Sequence, residues 1–228
     1  VKIGNINCDV YLSDENGKIN LNGINNDNRE IFIKFLTKKG MDFPDADVIV
    51  DSILDWVDPD DLTHINGAED GYYGSLPEPY NAKDAPFNSI EELMLVRDVT
   101  PEIFDSIRND ITVYGEKQIK LNINFTSKEI ISSIPGLSDD LADDLILYIE
   151  ENGSIKEVDD LREIFWSLGI IGDSFEKIRQ YLTLDQSGFV TIRAVAKSSD
   201  NKPNEDGKSE MYGYRMIVGK ENNEYKIV

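Results

Sequence analysis

The stretch Ile19-Asn20-Leu21-Asn22-Gly23-Ile24-Asn25 decides the fold, because a near copy, Ile119-Lys120-Leu121-Asn122-Ile123-Asn124, follows one hundred residues later. After each copy comes a segment of helical periodicity, then a glycine (Gly40 or Gly136), then a second apolar helical segment. Two helices around a tight glycine-containing turn form a helical hairpin. The sequence therefore predicts two related helical hairpins in the middle of the chain.

Strand patterns flank this helical middle. Apolar and polar residues alternate up to Leu12 and again at residues 19–21, with Asn16-Gly17 between the two runs. Because Asn-Gly tolerates positive φ, this arrangement predicts a β-hairpin. Strand patterns return at residues 189–196, 212–218 and 225–228. We therefore predict an α+β fold in which residues 1–23 and 187–228 form a small antiparallel sheet and residues 24–186 form a large helical insertion.

Composition narrows the classes of function. The 228 residues include 44 Asp and Glu against 23 Lys and Arg, for a net charge of -21. Such a polyanion repels nucleic acid and anionic lipid, and favours divalent cations or basic protein surfaces. Cys8 and His64 are the only residues of their types, so an internal disulfide, a thiolate zinc site and a multi-histidine site are excluded. No apolar run is long enough to cross a bilayer.

The turn Ile134-Pro135-Gly136-Leu137-Ser138 resembles that of helix-hairpin-helix motifs, which can bind DNA phosphates through backbone N–H groups. We expect a phosphate at this turn to meet no nearby cation and four carboxylates, those of Asp139, Asp140, Asp143 and Asp144. They would repel a phosphate. We interpret the hairpin as scaffold and predict no nucleic-acid partner.

The segment from Asp55 to Asp70 is the best calcium-site candidate in the sequence. It carries carboxylates but no Lys or Arg, and it leaves a predicted helix at Asp58-Pro59. A helix C-terminus carries partial negative charge, so clustered carboxylates there need a compensating cation. Ca²⁺ takes six to eight oxygen ligands in irregular loops. Leu62 and Thr63 break the EF-hand pattern, so the sequence predicts a different kind of calcium loop.

Three alternatives stay open at this point. The loop can be a solvated acidic segment without an ion. Paired carboxylates such as Asp60 and Asp61 can serve a carboxylate-dependent extracytoplasmic hydrolase, if two of them face each other across a pocket. An acidic surface can also imitate DNA towards a basic partner. We favour a binding and assembly protein over an enzyme.

Three stretches stand out in order along the chain: Asp14-Glu15-Asn16-Gly17-Lys18-Ile19-Asn20-Leu21-Asn22, Asp55-Trp56-Val57-Asp58-Pro59-Asp60-Asp61 and Asn66-Gly67-Ala68-Glu69-Asp70-Gly71-Tyr72-Tyr73. Together they resemble the minor pseudopilin of the K class in bacterial type II secretion. The first is similar to the start of that family's pattern, and the other two look like its central signatures. The resemblance covers most of residues 14–165, and residues 187–228 match only in pattern.

This resemblance implies a pilin-like body with a large α-helical insertion. It implies a periplasmic protein anchored in the inner membrane by an N-terminal helix, which we expect to lie outside this chain. It further implies a place at the tip of the pseudopilus, where the protein binds the I-class and J-class minor pseudopilins and other pseudopilus subunits and helps initiate assembly for export across the outer membrane. The implied cofactor is Ca²⁺, with ligands carried over onto Asp58, Asp60, Asp61, Glu69 and Asp70, and with Asp55 in a supporting or helix-capping role.

Overall fold

The computed structural model describes residues 2–3, 6–198, 211–221 and 224–228. Its helices are α1 Arg29–Lys38, α2 Phe43–Val57, α3 Asp70–Tyr73, α4 Pro101–Ile107, α5 Lys128–Ile131, α6 Asp139–Asn152, α7 Val158–Ser167 and α8 Asp173–Arg179. Its strands are β1 Lys2–Ile3, β2 Ile6–Asp14, β3 Ile19–Asn20, β4 Ile111–Thr112, β5 Leu121–Asn122, β6 Leu182–Thr183, β7 Phe189–Ser198, β8 Met211–Glu221 and β9 Glu224–Ile227. Among the described residues, no helix has the length and apolarity to span a membrane.

Two compact units divide the chain. One contains both ends, Val1–Glu15 and Gln186–Val228, and the other is Asn16–Asp185. The first holds an antiparallel sheet in the order β1-β2-β7-β8-β9, and the second holds the helices. The predicted α+β class, with a sheet from both chain ends and a helical insertion, is confirmed. The predicted boundary after residue 23 is wrong, because residues 16–23 belong to the helical unit.

The predicted hairpin around Asn16-Gly17 is also wrong. Strand β2 pairs with β7 from Ile6 opposite Ser198 to Asp14 opposite Val190. Residues Glu15–Gly17 form a 3-10 turn, and β3 then pairs in parallel with β4 instead of returning along β2. The approach of Gly17 to Phe125 is so close that a Cβ there would lie 2.5 Å from the Phe125 carbonyl oxygen. The glycine is therefore required by packing inside the helical unit.

The sheet has one apolar face. Cross-strand register places Val10, Ala194 and Tyr214 side by side, and Leu12 lies on the same face. Tyr214 is 75% exposed and Leu12 is 68% exposed. Since antiparallel sheets normally cover one face, this surface is suited to packing against another element.

Local sequence explains the helices that carry the site. In α1, apolar residues recur at helical spacing and are buried; in α2, Pro44 stands in the first turn, where its missing N–H costs nothing. Helix α2 ends at Asp58, whose backbone is extended ahead of Pro59. In α6, Ser138 accepts a hydrogen bond from the Leu141 N–H, and Gly153 ends the helix at φ +86°.

The helical unit is a structural duplication. Both copies contain a helical hairpin with a positive-φ glycine at its turn, Gly40 at +97° and Gly136 at +93°. Both close with a two-residue parallel strand pair, β3–β4 in the first copy and β5–β6 in the second. The sequence before the closing strand also repeats, as Phe104-Asp-Ser-Ile-Arg-Asn-Asp-Ile-Thr112 and Phe175-Glu-Lys-Ile-Arg-Gln-Tyr-Leu-Thr183. Sequence analysis missed this second part of the repeat.

Paired asparagines show how the copies correspond. Asn22 donates to the Phe87 carbonyl and accepts from the Phe87 N–H, and Asn124 binds Ile155 in the same two-way manner. The repeat therefore aligns Asn22 with Asn124, not with Asn122 as a one-hundred-residue spacing predicts. In this alignment, residues 58–86 of the first copy stand where the second has only residues 153–154 between α6 and Ile155. The acidic loop is an insertion in the first copy.

Candidate metal centre in the acidic loop

Two buried aspartates on α2 hold the backbone of the acidic loop. Asp51 and Asp55 lie about one helical turn apart and are 1% and 0% exposed. The His64 N–H donates to Asp55 Oδ1 at 3.0 Å, and the Asn66 N–H donates to Asp51 Oδ2 at 3.1 Å. Because the helix carries these acceptors, the loop folds back along it instead of extending into solvent.

Side chains complete this attachment. The Asn66 amide donates to Asp47 at 2.8 Å, and Arg29 pairs with Asp47 at 2.6 Å and with Asp51 at 2.5 Å. On the other side, the Arg97 guanidinium donates to the Gly67 carbonyl at 3.0 Å. Arg29 and Arg97 thus offset part of the negative charge of the segment at residues 47–67.

Gly67 is required by its distance from Asp55. A Cβ on residue 67 would lie 1.9 Å from Asp55 Oδ2, and that carboxylate is enclosed. The Asn-Gly of the central signature therefore has two separate uses here. Asn66 binds α2 through both its backbone and its side chain, and Gly67 leaves room for a carboxylate.

An aromatic cluster packs against the same helix and loop. The Trp56 ring meets Tyr73 edge-on at 5.3 Å between centroids, and Tyr73 stacks on Tyr80 at 5.2 Å. Tyr73 is fully buried, and its hydroxyl accepts a hydrogen bond from the Arg97 N–H. The end of the loop at Glu69 and Asp70 is thus held by packing, since α3 carries Tyr73 into the core.

Glu69 is the unusual residue of this site. Glu69 is only 5% exposed, and neither of its carboxylate oxygens has a hydrogen-bond partner among the described residues. Burial, together with the charges of Asp55, Asp58, Asp84 and Asp61 in decreasing order, raises the pKa of Glu69 to about 7. A buried acceptor without a donor is costly, and neighbouring anions increase that cost. A cation that binds several oxygen ligands would give the buried carboxylate a partner and would neutralise the neighbouring anions.

Asp58 is close enough to Glu69 for its charge to help raise the pKa of Glu69. Ligand atoms of Asp55, Asp58 and His64 lie within 4.8 Å of one another. The pKa of Asp58 is raised above its ordinary value, chiefly by burial. His64 contacts Asp55 through Nδ1 at 2.5 Å and Asn26 through Nε2 at 3.2 Å, so its ring also holds the loop to the segment before α1.

The other predicted ligands differ in whether their carboxylates already accept hydrogen bonds. Asp61 is exposed and close enough to Glu69 to contribute to its raised pKa. Asp60 accepts the Leu62 N–H at 2.8 Å, and Asp70 accepts from the Asn81 amide and the Ala82 N–H, each at 2.8 Å. A metal ion at Asp70 would compete with two bonds that fix the following loop.

Sequence analysis underestimated Asp55 and did not consider Asp84. A signal for Asp55 existed, since it interrupts the buried run from Ile53 to Trp56 and therefore requires a partner in the interior. No comparable pattern marks Asp84, whose backbone lies at φ +51°. Its proximity to Glu69 arises from the path of the chain after α3.

The helix-hairpin-helix turn has cations that sequence reasoning overlooked. Lys38 pairs with Asp139 at 2.7 Å, and Lys128 pairs with Asp143 at 2.6 Å. The prediction that no cation lies nearby is therefore wrong, because Lys38 on α1 and Lys128 on α5, the first helix of the same hairpin, pair with these aspartates. Both lysines are engaged by carboxylates, so the turn still presents no free positive charge from them to a phosphate.

Two adjacent stretches of the chain match family models. Residues 17–116 match the model described as type II secretion system (T2SS), protein K. Residues 116–183 match a helix-hairpin-helix motif. The two matches divide the helical unit between its first and second copies.

Two curated relatives are similar to part of the chain. A putative type II secretion system protein K of Escherichia coli K12 is 28% identical over 102 residues, which are 45% of this chain and 31% of the relative. The type II secretion system protein K of Pectobacterium carotovorum subsp. carotovorum is 27% identical over 125 residues, or 50% of this chain and 38% of the relative. The matched parts span less than half of each relative. Both are described as type II secretion system proteins of the K class, the class that the sequence resembles.

One solved structure is similar over the whole chain. It is a chain in the crystal structure of the GspK-GspI-GspJ complex from the type 2 secretion system of enterotoxigenic Escherichia coli. The TM-score is 0.74 at 14% identity, over 100% of this chain and 80% of that chain. At this identity the likeness establishes the fold, a pilin-like sheet with a helical insertion.

Proposed function

We propose that this chain is a type II secretion system protein K, a minor pseudopilin at the tip of the pseudopilus that helps initiate filament assembly. The observation that carries the proposal is the match of residues 17–116 to the family, joined to a pilin-like fold. As a component of a secretion system, the protein belongs to the cell envelope. Its proposed place is the periplasm, with an anchor in the inner membrane.

The proposed partners are the I-class and J-class minor pseudopilins. The similar solved chain occurs in a GspK-GspI-GspJ complex, and the sheet of this chain presents an apolar face around Tyr214 and Leu12 that suits packing against other elements. The test is analytical ultracentrifugation of the purified chain with the soluble portions of the I-class and J-class proteins from the same secretion system. A complex heavier than any pair supports the proposal. If the three proteins sediment separately at about 10 µM each, they bind with a Kd well above that concentration, and the proposal is contradicted.

The proposed cofactor is Ca²⁺ in the acidic loop. Glu69 and Asp58 would be its principal ligands, with Asp61 and Asp55 close by; Asp60 and Asp70, which already bind backbone or amide donors, would contribute less. The donor set fits, since hard carboxylate oxygens in an irregular loop are the ligands that Ca²⁺ prefers. The bound ion would neutralise the cluster and tie the inserted loop to α2.

Thermal unfolding with and without a chelator tests this proposal. Calcium stabilises the folded chain by RT ln(1 + [L]/Kd), which is about 2.7 kcal/mol at one hundred times Kd. We expect the chelator to lower the melting temperature and added Ca²⁺ to restore it. A melting curve that does not change from chelator to millimolar Ca²⁺ contradicts calcium binding and leaves the family assignment untouched.

A further inference from the structure

The second copy of the helical repeat carries an exposed apolar cavity outside the calcium loop. It has a volume of about 450 Å³ and lies between the end of α7 and the start of α8. Trp166 and Ile171 stand at its mouth, 69% and 60% exposed, and the buried Phe175 contributes to its lining. Exposed tryptophan beside a cavity is typical of binding hot spots.

The fold itself does not require this cavity. In the aligned repeat, Val96 corresponds to Ile164, and Phe104 corresponds to Phe175; all four are buried. Between these matched positions, the second copy has residues 165–174 where the first has the shorter segment 97–103, and the exposed Trp166 lies in the longer segment. The cavity therefore lies at a connection that the first copy makes with fewer residues.

Charge at the rim indicates the chemistry of an occupant. Asp173 and Glu176 line the cavity, and among the described residues neither forms an ion pair. The cation on the rim, Arg162, is engaged, since it pairs with Asp159 at 2.6 Å and lies over the Phe175 ring at 5.5 Å. The cavity thus combines an apolar interior with two carboxylates that form no ion pair within the part of the chain that the structure describes.

We propose that this cavity docks a segment of a partner protein in which a large apolar side chain is flanked by Lys or Arg. The apolar side chain would enter between Trp166 and Ile171, and the cations would meet Asp173 and Glu176. Burying such a side chain removes apolar surface from water and favours binding, and the charges select against acidic segments. This docking site does not depend on calcium or on the filament role.

The probe is the peptide acetyl-Lys-Phe-Lys-amide, and the readout is the indole N–H of Trp166 in two-dimensional ¹H–¹⁵N NMR. Trp56, the other tryptophan, is 3% exposed and serves as an internal control. We expect a saturable shift of the Trp166 signal alone, with a Kd of about 1 mM, as befits a short flexible peptide. Acetyl-Glu-Phe-Glu-amide and acetyl-Lys-Ala-Lys-amide should each bind at least about tenfold more weakly, which is 1.4 kcal/mol.

Matched variants separate this site from general attraction to an acidic protein. The double variant Asp173→Asn, Glu176→Gln should weaken binding about tenfold, whereas Asp140→Asn, Asp144→Asn, which removes the same charge from the exposed face of α6, should change it less than twofold. Trp166→Ala should abolish the response at Ile170 and Ile171 without changing the melting temperature. Equal effects of the two double variants, or equal shifts with the acidic peptide, would overturn the proposal.

Discussion

Replacing Glu69 with glutamine should have opposite effects on stability with and without calcium. In the absence of the ion, the carboxylate is buried, lacks a hydrogen-bond partner and lies among other anions, so the pKa of Glu69 is raised from 4.5 to about 7. The folded chain then binds more protons than the unfolded chain between these values, and its stability falls as the pH rises through that window. Glutamine removes this charge while keeping the shape of the side chain.

The magnitude follows from the pKa. At about 1.4 kcal/mol per pKa unit, the rise corresponds to about 3 kcal/mol once the pH exceeds 7. In chelator at pH 8, Glu69→Gln should therefore raise the melting temperature by about 6–12 °C. Well below pH 4.5 the two proteins should melt together, because Glu69 is then protonated in both the folded and the unfolded wild-type chain. In saturating Ca²⁺ at pH 8 the order should reverse, since the variant loses a principal ligand.

The assay is differential scanning calorimetry at four conditions: low and high pH, in chelator and in Ca²⁺. Glu78→Gln, the same substitution at an exposed glutamate of the neighbouring loop, is the control and should change none of them by more than about 1 °C. The reasoning is refuted if Glu69→Gln destabilises the chelator-treated protein at pH 8, or if Ca²⁺ stabilises wild type and variant equally.

Three further predictions follow from the same geometry. Gly67→Ala places a methyl group against Asp55 and should cost about 1–3 kcal/mol in urea unfolding, whereas Gly71→Ala, whose Cβ meets open space, should cost less than about 1 kcal/mol; equal costs would contradict the steric argument. Calcium affinity measured by titration calorimetry should fall up to about tenfold per pH unit below 7, because Glu69 must lose its proton, and a flat profile from pH 8 to 6 would exclude Glu69 as a ligand. Asn124→Ala removes both hydrogen bonds to Ile155 and should cost about 1–3 kcal/mol in the same unfolding assay; a variant as stable as wild type would show that this contact does not hold the second copy together.

Local patterns predicted the helices well, because their determinants are adjacent in sequence. The apolar spacing in α1 and α2, Pro44 near the start of α2 and the Asp58-Pro59 end all act within a few residues. The central signatures also located the acidic segment and most of its proposed ligands. Such features need no knowledge of the remainder of the fold.

The pairing of strands that are distant in sequence could not be predicted from local patterns. Asn16-Gly17 has the composition of a hairpin turn, yet β3 finds its partner in β4, at the far end of the first repeat. Both Ile19 and Ile111 are fully buried, so tertiary packing outweighs the local turn preference. The register of the repeat was likewise set by the hydrogen bonds of Asn22 and Asn124, which a spacing of similar letters does not reveal.

The unusual state of Glu69 also depends on tertiary structure. In sequence it is one acid among several, and nothing local separates it from Asp61 or Asp70. The fold buries Glu69, leaves Asp61 exposed and gives Asp70 two hydrogen bonds. The difference between ligand candidates is therefore one of burial and competing donors, which only the packed loop determines.

Anomalous diffraction from crystals grown with Ca²⁺ tests the central claim most directly, namely that calcium holds the inserted acidic loop of this protein. The account predicts an anomalous peak within about 2.3–2.6 Å of Glu69 carboxylate oxygens, with an Asp58 oxygen in the same coordination shell. A well-ordered loop with no peak at Glu69 in millimolar Ca²⁺, or a peak bound only by Asp60 and Asp70, would contradict it.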